Sequence, residues 1–98
     1  MTNMKKKVVI HIGTLYAKPE YADDLINSLE ALKQAPGYIS HECYRDIEDE
    51  NKFTLVEKWQ SKEDHEHFVK SFSKEAMEQW LNMVAKVGED SYFQKVEC

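Results

Sequence analysis

Apolar and polar residues in the first half of the chain follow a pattern that predicts a strand, a helix and a second strand. Val8 to Ala17 is rich in β-branched and aromatic residues, which is typical of a strand. Apolar residues then recur every three or four positions, as on one face of a helix, at Ala22, Leu25, Ile26, Leu29 and Leu32. Ala35-Pro36-Gly37 ends this helix, because proline cannot continue it and glycine turns freely. Tyr38 to Ile47 alternates as a second strand.

The middle of the chain predicts a turn, a third strand and the start of a second helix. Residues 48–52 are polar and form the turn, and Phe53 to Trp59 follows as the strand. Ser61 and Asp64 then have the spacing of a helix-capping pair. The second helix is therefore expected to begin directly after the third strand.

A second helix and a fourth strand complete the pattern. Helical spacing connects seven apolar residues: Phe68, Phe72, Ala76, Met77, Trp80, Leu81 and Val84. We expect this helix to be interrupted near Ser71 and Ser73, and we expect a short fourth strand from Tyr92 to Glu97, after Gly88. The order βαββαβ is that of an α+β, ferredoxin-like domain with an antiparallel sheet. The 98 residues are expected to form this single domain.

Apolar residues occupy both faces of the predicted strands. Ile10 and Ile12 share one parity of the first strand, whereas Val9 and Leu15 take the other. Two helices cover only one face of a four-stranded sheet, and large exposed apolar patches are rare on soluble monomers. We therefore expect a homodimer in which two sheets pack face to face.

Charge and composition exclude several classes of protein. The net charge of −5 argues against a nucleic-acid-binding protein, which needs a basic patch. The lysine run falls in residues 1–7, which we expect to be a flexible leader, with no secretory signal behind it. No apolar run approaches the roughly 20 residues of a membrane helix. Cys43 and Cys98 are expected to be free thiols, and the protein is expected to be cytoplasmic.

Candidate chemistry is concentrated where the third strand meets the second helix. Glu57 and Trp59 share one parity of the strand and point to the same side. Trp59 either fills the core or walls a pocket. Glu57 is either paired with a cation at the sheet margin or buried, where desolvation would make it a base.

The histidines offer proton chemistry rather than a metal site. His65 and His67 are two residues apart on the helix and do not face each other, so they form no metal site together. We expect His65 to be solvated and His67 either to face the groove as a general base or to lie at the surface. His41 and Cys43 share a strand face, but nothing at zinc-like spacing completes a site. We therefore predict no metal.

Two other strand residues are ambiguous. Tyr44 is either a rim residue or a hydroxyl donor to a ligand. Gly13, two residues after His11, marks either a bulge or a close ligand approach.

Four segments in this order resemble the antibiotic biosynthesis monooxygenase family. They are Lys18-Pro19, residues 36–46 (PGYISHECYRD), residues 53–59 (FTLVEKW) and His67-Phe68. The resemblance extends from about Val8 to Glu97. It implies a dimeric α+β barrel of ferredoxin-like subunits, in agreement with the two apolar sheet faces.

The resemblance also implies an activity: oxidation of small quinol-like or polycyclic phenolic compounds by dioxygen, without metal, flavin or any other cofactor. It makes Trp59 and His67 the expected catalytic residues and Glu57, Tyr44 and Phe72 the expected substrate-binding residues. Haem-degrading relatives use a first-strand asparagine and a second-helix histidine. Ile12 and Met77 occupy those positions here, which argues against haem degradation.

Two other functions fit the same resemblance. One is an isomerase, or another enzyme that needs no oxygen, acting on a small metabolite. The other is a non-catalytic dimer that binds a small ligand.

Overall fold

The computed structural model describes residues 8–98, and the predicted order of elements is confirmed in it. The strands are β1 (Val9–Ala17), β2 (Tyr38–Arg45), β3 (Lys52–Trp59) and β4 (Val84–Gln94). The α-helices are α1 (Ala22–Ser28), α2 (Lys62–Lys70) and α3 (Lys74–Met83), and 3₁₀ segments at Pro19–Tyr21 and Leu29–Gln34 flank α1. The expected leader, residues 1–7, lies outside the described residues.

The strands form one antiparallel sheet in the order β2-β3-β1-β4, as in ferredoxin-like domains. β1 and β3 lie side by side at its centre, with His11 directly opposite Glu57. On the other side of β1, His11 lies opposite Tyr92 of β4. This register brings polar side chains of three strands together on one face of the sheet. Among the described residues, no helix is long and apolar enough to cross a membrane.

The predicted Ser61 cap and the predicted interruption of the second helical region are both confirmed. The side chain of Ser61 accepts a hydrogen bond from the backbone N–H of Asp64 at 3.1 Å, and α2 begins at Lys62, directly after Ser61. The expected interruption follows Lys70. The side chain of Ser73 accepts a hydrogen bond from the Ala76 N–H at 3.0 Å and starts α3. The second helical region is therefore two helices in sequence.

The predicted bounds of the fourth strand were wrong. The strand runs from Val84 to Gln94, so it includes Val84, which the sequence pattern assigned to the helix. Val84 has helical spacing from Trp80 but pairs with Ala17 at the end of β1. The pairing is irregular after Gly13, where β4 advances three residues while β1 advances two. This bulge confirms one of the two interpretations of Gly13, and it hides the alternation of β4 in the sequence.

The helices cover one face of the sheet and bury the core there. Two groups of buried side chains lie in this layer, one of Ala17, Leu25, Phe53 and Val84 and one of Leu32, Leu55 and Trp59. Trp59 has no exposed surface. The opposite face is open, and apolar side chains lie on it among polar ones such as Lys58 and Glu42. Ile10 pairs there with Phe93, which is 48% exposed, and Ile12 pairs with Val56. The predicted second apolar face is thus present.

The turn into β2 depends on Gly37. Its φ of +86° is a conformation that side chains with a Cβ adopt only with strain, and a Cβ there would overlap the carboxyl group of Asp64. Replacing Gly37 with alanine (Gly37→Ala) is expected to lower the free energy of unfolding by about 1–3 kcal/mol or more. Urea denaturation of the purified protein measures this change. The exposed Ser40→Ala is the control, expected to stay within about 0.5 kcal/mol of wild type. Equal stability of the two variants would contradict this account of the turn.

Candidate functional site

A cavity of about 390 Å³ lies between the helices and the inner face of the sheet. Its walls are mainly apolar and come from β1, β3 and all the helices, with Leu15, Leu55, Phe68, Phe72, Met77 and Trp80 among them. Four ionisable side chains line the cavity where it meets the sheet: His11, Glu57, His65 and Asp90. The volume falls in the range of small-molecule sites. The cavity is therefore an apolar chamber with polar chemistry concentrated at one place.

Glu57 is the centre of the polar group. It lies on the same face of β3 as Phe53, Leu55 and Trp59, so the strand turns its carboxylate into the core layer, where it is 3% exposed. The indole Nε1–H of Trp59 donates a hydrogen bond to Glu57 Oε1 at 2.7 Å. A buried carboxylate needs such partners, because its desolvation is otherwise costly. Trp59 thus orients Glu57.

His11 connects Glu57 to the outside of the protein. Its Nδ1 lies 3.4 Å from Glu57 Oε1, and its Nε2 lies 3.0 Å from Asp90 Oδ2. The side chain of Asp90 is 62% exposed, whereas that of His11 is 9% exposed. Burial alone lowers the pKa of His11, but the two neighbouring carboxylates outweigh burial and leave this pKa raised above its ordinary value. His11 is therefore the imidazole of the cluster that holds a proton more readily.

His65 stacks on His11 and has the opposite preference. The ring centroids are 4.0 Å apart and the planes are inclined by 27°. His65 Nδ1 lies 2.6 Å from the Tyr92 hydroxyl, and Nε2 lies 3.6 Å from Glu57 Oε1. Burial, and then the positive charge of the adjacent His11, lower the pKa of His65. The two shifts run in opposite directions, so His11 is the imidazole that is protonated first and His65 the one that stays a proton acceptor longer.

The prediction that His65 is solvated was wrong, since it is only 8% exposed. Ser61 caps α2, and from this start His65 and Phe68, three residues apart, face the sheet together. His67 is exposed and lies beside a separate depression near Pro36 and Ser71. Residues two apart on a helix point in very different directions. The structure therefore brings His65 to the cavity and leaves His67 outside it.

The other expected site residues divide into two groups. Glu57 and Phe72 line the cavity. Trp59 does not line it but lies behind Glu57, so it fills the core and donates a hydrogen bond at the same time. Tyr44 is 52% exposed on the outer face of the sheet, because the strand alternates and Cys43 takes the inward position. Neither Trp59 nor Tyr44 therefore lines the cavity.

Sequence reasoning noted His11 only through Gly13 and did not select Asp90 or Tyr92. His11 could have been found from the alternation of β1, because it lies on the same strand face as Gly13 and Leu15, and that face is turned toward the helices. Asp90 and Tyr92 become visible only when the register of β4 against β1 is known. His11, Glu57 and His65 each place one potential metal-ligand atom within 4.8 Å of the others. Cys43 and Cys98 are free thiols, as expected.

The bond between Trp59 and Glu57 predicts a measurable coupling. Trp59→Phe removes the donor while it keeps an aromatic ring, and Glu57→Leu removes the acceptor. Urea denaturation of both variants and of the double variant gives a thermodynamic cycle. We expect an interaction energy of about 1–3 kcal/mol, as for hydrogen bonds to charged groups. Additivity of the two changes to within about 0.5 kcal/mol would show that the bond contributes nothing to stability.

Solved structures with the same fold include proteins of known and unknown activity. One is from Chloroflexus aurantiacus, and its assignment as an antibiotic biosynthesis monooxygenase is provisional; it is 25% identical, with a TM-score of 0.76 over 93% of this chain and 95% of that chain. SnoaB, a cofactor-independent oxygenase from Streptomyces nogalater, is 13% identical, with a TM-score of 0.77 over 94% and 96% of the two chains. A conserved protein from Methanosarcina mazei is 18% identical, with a TM-score of 0.73 over 94% and 96%.

Among curated proteins, none matches this sequence significantly. The family model for antibiotic biosynthesis monooxygenases matches residues 8–86, which is most of the chain. The match extends over the first three strands, all the helices and the start of β4. The chain therefore belongs to the antibiotic biosynthesis monooxygenase family.

Proposed function

We propose that this protein is a cofactor-independent monooxygenase that oxidises a small quinol-like or polycyclic phenolic compound with dioxygen. The observation that carries the proposal is an apolar cavity of about 390 Å³ that ends at the buried Glu57 and two imidazoles. Family membership supports the reaction class. SnoaB, which shares the fold, is itself described as a cofactor-independent oxygenase.

The reaction needs an electron-rich substrate, because triplet dioxygen reacts slowly with ordinary organic molecules. The anion of a phenol or of an anthrone-like compound is reducing enough to give an electron to dioxygen. In the balanced reaction of an anthrone, a ring CH₂ becomes C=O; in that of a hydroquinone, a ring C–H becomes C–OH and the quinol becomes a quinone. In both, one oxygen atom of dioxygen enters the product and the other leaves as water. The substrate supplies all four electrons, so no external reductant is required.

The cavity favours formation of that anion. Its apolar walls give water few hydrogen-bond partners, so fixed charges at its polar end act more strongly than they do in bulk solvent. We place the substrate ring among Phe68, Phe72 and Trp80, with its hydroxyl at the polar cluster. His65 Nε2 accepts the hydroxyl proton, and the positive charge of His11 stabilises the resulting oxyanion.

Glu57 and Trp59 act on the substrate indirectly. Glu57 Oε1 lies 3.4 Å from His11 Nδ1 and 3.6 Å from His65 Nε2, so one carboxylate oxygen orients both rings. The Trp59 indole holds that oxygen in place. We therefore propose His65 as the catalytic base in place of His67, with Phe72 as a substrate contact and Trp59 as a positioning residue.

An isomerase is the second candidate, and one observation favours it. The two stacked histidines have pKa values shifted in opposite directions, upward for His11 and downward for His65. They can therefore provide the proton donor and the proton acceptor that a proton shift within a small metabolite needs. Turnover without oxygen separates the two reactions. Saturable binding without product in air or under nitrogen would instead favour a non-catalytic ligand-binding protein.

Oxygen uptake tests the leading function. Purified protein is mixed with a panel of hydroquinones and anthrones in an oxygen-electrode cell, and products are identified by mass spectrometry. We expect His65→Asn to lower the turnover rate by about 10²- to 10⁴-fold, as for loss of a general base. The neighbouring His67→Asn, exposed and outside the cavity, is the matched comparison and is expected to retain the wild-type rate.

Two results would contradict the proposal. No uptake by wild-type protein with any reducing phenol would argue against an oxygenase. Oxygen uptake that depends on His67 and not on His65 would support the oxygenase reaction but would make His67 the catalytic base, as the sequence analysis expected. Circular dichroism of each variant ensures that the comparison is made on folded protein.

We also propose that the protein acts as a cytoplasmic homodimer joined through the outer face of its sheet. Free thiols are typical of the reducing cytoplasm. Ile10, Ile12, Val56 and Phe93 form adjacent pairs across three strands on that face, and no helix among the described residues covers them. An open apolar face of this kind is typical of an association surface.

A single charge tests the dimer. Ile12→Lys places an ammonium group at the centre of the outer face and is expected to convert the dimer to a monomer. Ser71→Lys adds the same charge at the exposed end of α2 and is expected to leave the dimer intact. Sedimentation velocity at micromolar concentration measures both. A wild-type monomer would contradict the proposed assembly.

A further inference from the structure

We propose that His11, Glu57 and His65 form a binding site for a divalent transition-metal ion such as Zn²⁺. This inference does not depend on the proposed reaction, and its test needs no substrate. It departs from the expectation from sequence, in which no metal site was predicted because the histidines on α2 do not face each other. The fold supplies the missing partner, because His11 on β1 stacks on His65.

The distances fit an ion with nitrogen and oxygen ligands. Zinc binds imidazole nitrogen and carboxylate oxygen at about 2.0–2.2 Å, so two ligands of a tetrahedral site lie about 3.4 Å apart. Glu57 Oε1 is 3.4 Å from His11 Nδ1 and 3.6 Å from His65 Nε2. The potential ligand atoms of all three residues lie within 4.8 Å of one another. Modest side-chain movement brings them to a common ion.

The outer ring nitrogens already have the partners that metal-binding histidines use. His11 Nε2 lies 3.0 Å from an Asp90 carboxylate oxygen, and His65 Nδ1 lies 2.6 Å from the Tyr92 hydroxyl. Such second partners fix the ring orientation and tautomer of metal ligands. Here they leave the other nitrogen of each ring 3.4 Å (His11) or 3.6 Å (His65) from Glu57 Oε1.

A buried atom without a hydrogen bond adds an independent observation. His11 is 7% exposed, and its buried Nδ1 has no hydrogen-bond partner among residues 8–98. When Nε2–H donates to Asp90, Nδ1 presents a lone pair to the Glu57 carboxylate, and the two acceptors repel. A cation between them removes this conflict. A proton on Nδ1 is one such cation and a metal ion is the other, so the two compete.

The ion would be a borderline transition metal with one open position. Two imidazoles and one carboxylate favour Zn²⁺, Co²⁺ or Fe²⁺ over Ca²⁺ and Mg²⁺, which prefer oxygen ligands. The cavity adjoins the cluster, so water or another small ligand completes the coordination. The rings are stacked with their planes inclined by only 27°, so one ring must turn for both lone pairs to reach the same ion.

Metal titration of the purified full chain, after dialysis against EDTA, tests the site. Isothermal titration with Zn²⁺ is expected to give one ion per chain, and Co²⁺ is expected to give the intense visible absorption of a low-coordinate site. His11→Gln should weaken binding at least about 10- to 100-fold. His41→Gln and His67→Gln, which change histidines outside the cluster, should leave it unchanged.

A milder variant covers the case in which His11→Gln fails to fold. Asp90→Asn changes an exposed side chain that acts only through His11, and it is expected to weaken Zn²⁺ binding by about 10-fold or more. Absence of wild-type binding at millimolar Zn²⁺ would overturn the proposal. So would binding that is unchanged in folded His11→Gln and in Asp90→Asn, or binding that is lost in His41→Gln or His67→Gln instead.

Discussion

The hydrogen bond from the Trp59 indole to the Glu57 carboxylate is the interaction on which the site depends. A carboxylate with 3% exposure is stable in a protein interior only when donors and positive charge surround it. The indole supplies a donor at 2.7 Å, and His11 places an imidazole nitrogen, which carries positive charge when protonated, at 3.4 Å. The cost of burying Glu57 therefore explains why an indole and two imidazoles converge on one oxygen atom.

The geometry of the sheet brings Glu57, Trp59 and His11 together without the help of a loop. Alternation along β3 turns Glu57 and Trp59 to the same face, and antiparallel pairing places His11 opposite Glu57. β4 then adds Tyr92 opposite His11 and Asp90 opposite Gly13. A bulge beside Gly13 and the small size of that residue leave space between strand and helices. Because His11 and Glu57 sit on the two central strands, their positions are fixed by the same hydrogen bonds that form the sheet.

Local sequence patterns were enough to predict the order of elements, the Ser61 cap of α2 and the break between α2 and α3, because these are local properties of the chain. Assignment of β4 failed because Val84 fits a helix and a strand equally well, and only its pairing with Ala17 decides between them. The site shows the same limit. Glu57 and Trp59 share a strand and were found together, whereas His11, Asp90 and Tyr92 meet only through long-range pairing. The sequence analysis assigned the buried and the exposed position to the wrong histidines, His67 and His65. The rotation of the helix about its axis decides which one faces the sheet, and the apolar neighbours alone left that rotation ambiguous.

The central claim is that a phenolic hydroxyl binds at the buried cluster while its ring occupies the apolar cavity. A crystal structure with a phenol that resists oxidation tests this most directly. The account predicts the ring beside Phe68 and Phe72 and the hydroxyl oxygen within hydrogen-bonding distance of His65 Nε2 or Glu57. A phenol bound beside His67, or on the outer face of the sheet with the cavity closed by side chains, would contradict it.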